Sequence, residues 1–221
     1  MKKTGSVALL SGGLDSLVSL AAALKRTRVR LCLTFDYGQK AAKREMSAAR
    51  KICGYYGLRH AAAQLPWYRG LSSGALVDGK SRVPRMRTGR LDDISAATAG
   101  AAKVWVPARN AVFISIAAAF AESMGCGLVV TGFNAEEGRT FPDNTPEFAR
   151  RMTSALALAT MNGVKVTSFT QGLNKAQIAL LGLKLRAPLN YAWSCYLGGA
   201  KPCGKCESCA RSMRAFKHCN L

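Results

Sequence analysis

Apolar positions along the chain fall into short stretches that alternate between two periods. SVALL (6–10) has the length of a strand, and LVSLAAALKR (17–26) follows at helical spacing and runs into two basic residues. VRLCLTFDYG reads as a strand ending in a turn, and AAKREMSAARKICGYYG as a helix stopped by Gly57. HAAAQLP is again strand-like. From Trp67 to Lys103 the chain is rich in Gly, Ser, Arg and Pro without a clear period, which predicts a long functional loop or mobile insert. KVWVPARN then leads into the helix AVFISIAAAFAESMG, the strand LVVTGF, the helix TPEFARRMTSALALATMNG, the strand VKVTSF and the helix NKAQIALLGLKLR. This alternation predicts an α/β fold: a Rossmann-like, mainly parallel sheet with helices on both faces. Ligands of such sheets bind beyond the carboxyl ends of the strands, where SGGLDS, FDYGQ and TGFNAEE fall.

With 221 residues and 49% hydrophobic content, the chain can bury one sizeable core and carry an appendage. The expected organisation is a main domain over 1–190 and a C-terminal metal-binding segment over 191–221. The longest uncharged stretch is too short and mixed to cross a bilayer, and the N-terminus lacks an export signal, so a cytoplasmic protein without membrane contact is expected. Lys and Arg number 32 against 12 Asp and Glu, a formal net charge of +20. Such an excess attracts polyanions or anionic small substrates. Its distribution is even, apart from a cluster at Lys80, Arg82, Arg85, Arg87 and Arg90. Nucleic acid is therefore allowed as a partner but not required.

SGGLDS lies between a strand and a helix. Gly12 and Gly13 allow backbone angles and close approach that a β-carbon would block, so successive N–H groups can face one anion. A helix starting near Asp15 or Ser16 adds its positive end, and the hydroxyls of Ser11 and Ser16 add donors. The segment reads as a phosphate cradle in which Asp15 binds through magnesium; the plainer alternative is a glycine turn with a capping Asp. GALVDGKS (74–81) fits the Walker A expression by letter, but WYRGLSS precedes it and RVPRMRTGR follows, so the required strand and helix are missing and a basic loop is expected.

Eight cysteines are present, and four crowd the C-terminus. Cys195, Cys203, Cys206 and Cys209, spaced C-x7-C-x2-C-x2-C, can place four thiolates around one structural zinc ion; an iron–sulfur cluster is the alternative. Cys32, Cys53 and Cys126 read as small core residues and Cys219 as an exposed tail thiol. His60 and His218 have no identifiable partner.

SGGLDS resembles the PP-loop of ATP pyrophosphatases, which activate a carboxylate or carbonyl as an adenylate. Together with FDYGQKAAKRE, VPARN and WSCY…PCGKCESC, in that order, it resembles the 7-cyano-7-deazaguanine synthase family over nearly the whole chain. The resemblance implies an ATP-dependent ligase forming a carbon–nitrogen bond, and a homodimer. The implied reaction takes 7-carboxy-7-deazaguanine, ammonia and two ATP to 7-cyano-7-deazaguanine, two AMP and two pyrophosphates through an adenylated acid and an adenylated amide. On that basis Leu10, Ser11, Gly12, Gly13, Leu14, Asp15, Ser16 and Asp36 are assigned to ATP with magnesium. Tyr37, Gln39, Arg109, Asn110, Asn134 and Asp143 are assigned to the second substrate, and Asp15, Ser16 and Arg109 to catalysis. Asn110 reads equally as a helix N-cap, and Glu136 and Glu137 as a solvated acidic loop or as groups for magnesium, ammonium or an amino group. The family's Gly-Tyr-Pro-Asp-Cys-Arg segment is replaced here by RTFPDNTPEF, which keeps Pro142 and Asp143 but changes Phe141 and Asn144. A PP-loop enzyme acting on transfer RNA or another carboxylate or amide acceptor is the main rival, and a zinc-ribbon nucleic-acid binder the second.

Overall fold

The computed structural model describes residues 3–71, 74–77, 80–86 and 88–219, with the His218 side chain excepted. Arg87 of the basic cluster and part of the Walker-like stretch lie outside the described residues. Five strands, β1 (Gly5–Leu9), β2 (Arg28–Asp36), β3 (His60–Gln64), β4 (Leu128–Thr131) and β5 (Lys165–Ser168), form one sheet in the order β3-β2-β1-β4-β5. All four pairings are parallel. The winding direction reverses between β1 and β4, so the crevice beyond their carboxyl ends is where an open sheet of this kind binds ligands.

Both faces are covered, as the uninterrupted apolar strands require. Val7 and Ala8 are both fully buried, yet belong to separate clusters because successive side chains of β1 point to opposite faces. On one face, α5 (Arg109–Ser123) and α6 (Pro146–Ala159) bring Ile114, Ala117, Ala121 and Leu156 against Val7, Leu33 and Val129. On the other, α1 (Leu14–Arg26) and α2 (Ala42–Tyr56) bring Leu17, Leu20 and Ile52 against Ala8, Cys32 and Val130. α7 (Lys175–Lys184) packs on α1, and α8 (Glu207–His218) packs on α7 through Ala215 and Phe216. Among the described residues no single helix is long and apolar enough to cross a membrane.

Three expectations need correction. Within the aperiodic region lie a short helix, α3 (Tyr68–Leu71), and a full one, α4 (Ile94–Val104). The buried stripe of α4 is Ala97, Gly100, Ala101 and Val104, small residues with little hydrophobic contrast, although its Asp93 cap, bonded to Ala96 N at 3.0 Å, was a readable signal. Asn110 is not a helix cap: α5 already begins at Arg109, with Ala108 before it in the left-handed region (φ 52°). Cys219 is not an exposed tail thiol but half-buried against the Leu14, Val18 and Ile178 cluster, because α8 carries the chain end back onto α7. Cys32, Cys53 and Cys126 are buried as expected.

Candidate active site

A cleft of about 240 Å³ opens at the carboxyl ends of the strands. The loop after β1 forms its floor. Gly12 has φ +79°, and a β-carbon there would lie 2.7 Å from the Glu45 carbonyl oxygen, so this glycine is required by the packing of the loop on α2. Gly13 has φ −79°, an ordinary value, and a β-carbon there would make only ordinary contacts, 3.4 Å from Ser11 Oγ and 3.8 Å from the Trp193 carbonyl oxygen. Its need for glycine is therefore not in the backbone angle, as expected from sequence, but in the open space above it. Gly13 caps α1 without a side-chain bond, so Asp15 is not the cap. Ser11 and Ser16 face each other at 3.1 Å, and Ser16 Oγ also donates to the Gly13 carbonyl at 3.1 Å. Gly132, just past β4, allows this loop to close: a β-carbon there would sit 2.7 Å from Ser16 N.

Asp15 points from the first turn of α1 into a charged cluster that sequence reasoning missed. Lys175, the first residue of α7, is 6% exposed; its ammonium pairs with Asp15 Oδ2 and with Glu137 Oε1, the latter at 2.8 Å. Burial pushes the Asp15 carboxyl up to about 6, against the pull of Lys175 and with a push from Glu137. For Lys175, burial favours the neutral amine, but the two carboxylates outweigh it and raise its pKa. Among the described residues, the other Asp15 oxygen, Oδ1, is buried without a hydrogen-bond partner. That orphaned acceptor beside a second carboxylate suits a hard cation with oxygen ligands, so Asp15 and Glu137 fit the magnesium expected with ATP. Glu136 and Glu137 are ion-paired rather than a solvated loop: Glu136 binds Arg211 at 2.6 Å.

Across the cleft, Arg109 Nη1 donates to Tyr37 Oη at 3.1 Å, and its guanidinium lies 5.7 Å from the centroid of the same ring. Among the described residues it forms no salt bridge, so its charge is available to an anion in the cleft. Gln39 braces the turn after β2, accepting from Tyr37 N at 3.0 Å and donating to Glu45 Oε2 at 2.7 Å. Glu45, also missed, lines the cleft, and burial raises its carboxyl above the usual range. Phe35 and Phe113 stack at 4.0 Å and 6° and, with Phe133 and Phe141, give the same cleft an aromatic wall. Such a surface suits a flat heterocycle.

Of the expected residues, Leu10, Ser11, Gly13, Leu14, Asp15, Ser16, Tyr37, Gln39, Arg109 and Asn110 line the cleft. Gly12, Asp36, Asn134 and Asp143 stand behind that lining. Asp36 Oδ1 accepts from Gly38 N at 3.0 Å, a turn bond. Asn134 is fully buried, its Oδ1 accepting from Glu137 N at 2.9 Å while Nδ2 has no partner among the described residues. The Asp143 carbonyl accepts from Asn110 Nδ2 at 3.3 Å, and its neighbours Phe141 and Asn144 reach the wall. His60 has a partner after all, with Nε2 2.8 Å from Thr34 Oγ1.

The four expected cysteines converge, with their sulfur atoms all within 4.8 Å of one another and Cys203 Sγ 3.9 Å from Cys209 Sγ. A tetrahedral zinc with Zn–S near 2.3 Å needs sulfurs about 3.8 Å apart, so the donor set fits that ion with little adjustment. Backbone amides point at the sulfurs: Leu197 N and Cys203 N at Cys195, Cys206 N at Cys203, Cys209 N at Cys206. Such bonds favour thiolates. This segment also supplies cleft wall, since Trp193, Ser194, Tyr196 and Ser208 line it and Trp193 N donates to the Gly12 carbonyl at 2.8 Å.

A family model described as queuosine biosynthesis protein QueC matches residues 5–220. The chain belongs to the QueC family. Curated relatives named 7-cyano-7-deazaguanine synthase include one from Pelotomaculum thermopropionicum, 52% identical with 98% of each chain covered. One from Desulforamulus reducens is 50% identical, covering 98% of this chain and 95% of the relative. Among solved structures, a 4-thiouridine synthetase in complex with RNA and bound ATP superposes with a TM-score of 0.52 at 18% identity. The match covers 98% of this chain but only 50% of the synthetase chain, and it shows a shared fold.

Proposed function

We propose that this QueC-family chain makes 7-cyano-7-deazaguanine from 7-carboxy-7-deazaguanine and ammonia at the expense of two ATP. The observation that carries this reading is the cleft itself, in which the loop after β1, the Asp15–Lys175–Glu137 cluster and Arg109, without a salt bridge among the described residues, face one aromatic-walled space. The triphosphate lies over Ser11 to Ser16, held by the α1 N-terminus and the Ser11 and Ser16 hydroxyls. Asp15 and Glu137 would hold magnesium, which would supply charge neutralisation for the pyrophosphate that leaves.

The substrate's fused ring packs on the aromatic wall, and Arg109 takes its carboxylate. Arginine there neutralises one anion beside another, so a carboxylate oxygen can attack the α-phosphorus and expel pyrophosphate. Ammonia then displaces AMP to give the amide. In the second round the amide oxygen attacks the α-phosphorus of a second ATP and expels pyrophosphate, and loss of AMP and of both amide N–H protons leaves the nitrile. Glu45, whose carboxyl burial keeps less acidic than usual, faces the same space and offers an acceptor to the amino or ring N–H groups of a guanine-like base, while Gln39, committed to Tyr37 N and to Glu45, holds it in place. The C-terminal segment acts as a zinc-stitched wall that carries Trp193, Ser194 and Tyr196.

The test is pyrophosphate release from ATP with three additions: the deazaguanine acid plus ammonium, transfer RNA, or neither. Release only with the acid and ammonium supports the reading. Release only with transfer RNA would transfer the adenylation chemistry to the rival acceptor.

A further inference from the structure

One buried arginine connects the cysteine segment with the charged cluster of the cleft. Arg211 stands on α8 two residues past Cys209, with its side chain 8% exposed. Nε and Nη2 donate to Glu207 Oε1 at 3.0 and 2.8 Å, and Nη1 donates to Glu136 Oε2 at 2.6 Å. Arg214 reaches the same Glu136 oxygen at 3.4 Å. The other oxygen of Glu136 accepts from Lys175 N, the first amide of α7, at 2.8 Å. Both carboxylate oxygens of Glu136 are thus committed, one to α8 and one to the start of α7. The next residue, Glu137, takes the Lys175 ammonium, whose other partner is Asp15. Neither Arg211 nor Glu136 lines the cleft, and their hydrogen-bonded route to it runs through Lys175 and Glu137.

We propose that Arg211 is a positioning residue for adenylation: through Glu136 it fixes the start of α7, and so holds the Lys175 ammonium between Asp15 and Glu137. Burial makes the arrangement exacting, because desolvated charges keep their stabilisation only in close, well-aligned contact. It also gives the cysteine segment a second task besides forming wall, since the same α8 carries Cys206 and Cys209 at one end and the arginine in its second turn. The inference rests on the reading of the cleft as an ATP site.

The test uses the full-length, zinc-loaded protein and the variants Arg211→Met and Glu136→Gln, each alone and combined with Lys175→Ala. Zinc content, circular dichroism, ATP affinity by calorimetry, and kcat and KM for pyrophosphate release are measured. Both single variants are expected to keep zinc and fold while kcat falls about 100-fold, the scale of a sub-ångström to 1 Å misplacement. KM for the acid substrate should hardly change. With Lys175 already removed, the same substitutions should change kcat and ATP affinity by less than about 3-fold, the signature of residues acting through one group. Normal kcat in Arg211→Met, or an equal loss with and without Lys175, would overturn the proposal, since general destabilisation does not depend on Lys175. If Arg211→Met fails to fold, Glu136→Gln, which keeps shape and hydrogen-bonding capacity, decides by the same comparison. A wild-type protein that binds ATP but releases no pyrophosphate contradicts the functional reading instead, and the affinity comparison then tests the latch alone.

Discussion

Lys175 and Asp15, 160 residues apart in sequence, form a buried ion pair that joins the first turn of α7 to the first turn of α1. The pair places a cation and an anion beside the loop after β1, where a triphosphate would lie over the N-terminus of α1. Asp15→Asn should leave the circular dichroism spectrum unchanged and remove most pyrophosphate release, since an amide neither holds magnesium as a carboxylate does nor pairs with the ammonium. Near-normal release by this variant would contradict the assignment. Lys80→Ala serves as the control, with ATP affinity expected to survive; a loss of about 100-fold would revive the Walker reading of residues 74–81.

The same aspartate predicts a pH dependence. Its folded pKa, about 6, lies above that of an unfolded Asp, so its contribution to stability is complete below the unfolded value and lost as pH rises through 6. The ionised form that the chemistry needs is thus kept at a cost in stability, and activity should fall on the acid side as pH drops through about 6. Glu137 pushes this pKa up, so Glu137→Gln should move the acid limb of its residual kcat to lower pH. A limb that stays in place would separate Asp15 from the titration.

Much of this was legible in the sequence. Sheet type, helices on both faces, the loop after β1 and the four cysteines were readable because each rests on local periodicity or close spacing. Lys175 was not, because it stands at the start of an ordinary amphipathic helix and acquires its partners only when α7 folds over α1. Glu45 was hidden for a similar reason: on α2 it looks like one more solvent-facing charge, and only the packing of Gly12 against its backbone turns it into cleft wall. Asn110 misled because a cap residue type stood one position inside a helix whose true cap is Ala108.

Two adjacent glycines should answer differently to alanine. Gly12→Ala forces a left-handed backbone, worth about 1–2 kcal/mol, and drives a methyl into the Glu45 carbonyl, so its melting temperature should drop by several degrees or more. Gly13→Ala should melt nearly normally and lose ATP affinity, because its methyl makes only ordinary contacts with Ser11 and Trp193 and otherwise enters the space proposed for phosphate. Calorimetry with ATP distinguishes the two, and the reverse pattern would contradict the loop's proposed division of labour.

Arg109 offers a planar fork that a lysine cannot reproduce. Arg109→Lys should lower kcat/KM for the acid substrate by about 100-fold, comparable to removing one preorganised donor from a developing charge. Steady-state kinetics at saturating ATP would show it. An unchanged kcat/KM would remove Arg109 from the carboxylate site.

Cys195→Ser should lose zinc and either aggregate or melt at a sharply lower temperature, since closed zinc sites contribute on the order of 10 kcal/mol. Activity should fall with it, because Trp193, Ser194 and Tyr196 lose their anchor. Cys219→Ser should keep full zinc and cost only a little stability, through its half-buried contact with the Leu14 cluster. Metal analysis that found iron and sulfide in the wild type would overturn the zinc assignment.

The most direct measurement is mass spectrometry of the product formed from ATP, 7-carboxy-7-deazaguanine and nitrogen-15 ammonium. The expected product is 7-cyano-7-deazaguanine carrying a single labelled nitrogen, with two AMP formed for each nitrile and the labelled amide appearing transiently before it. Recovery of the unchanged acid with ATP intact, or a labelled amide that never proceeds to the nitrile, would contradict it.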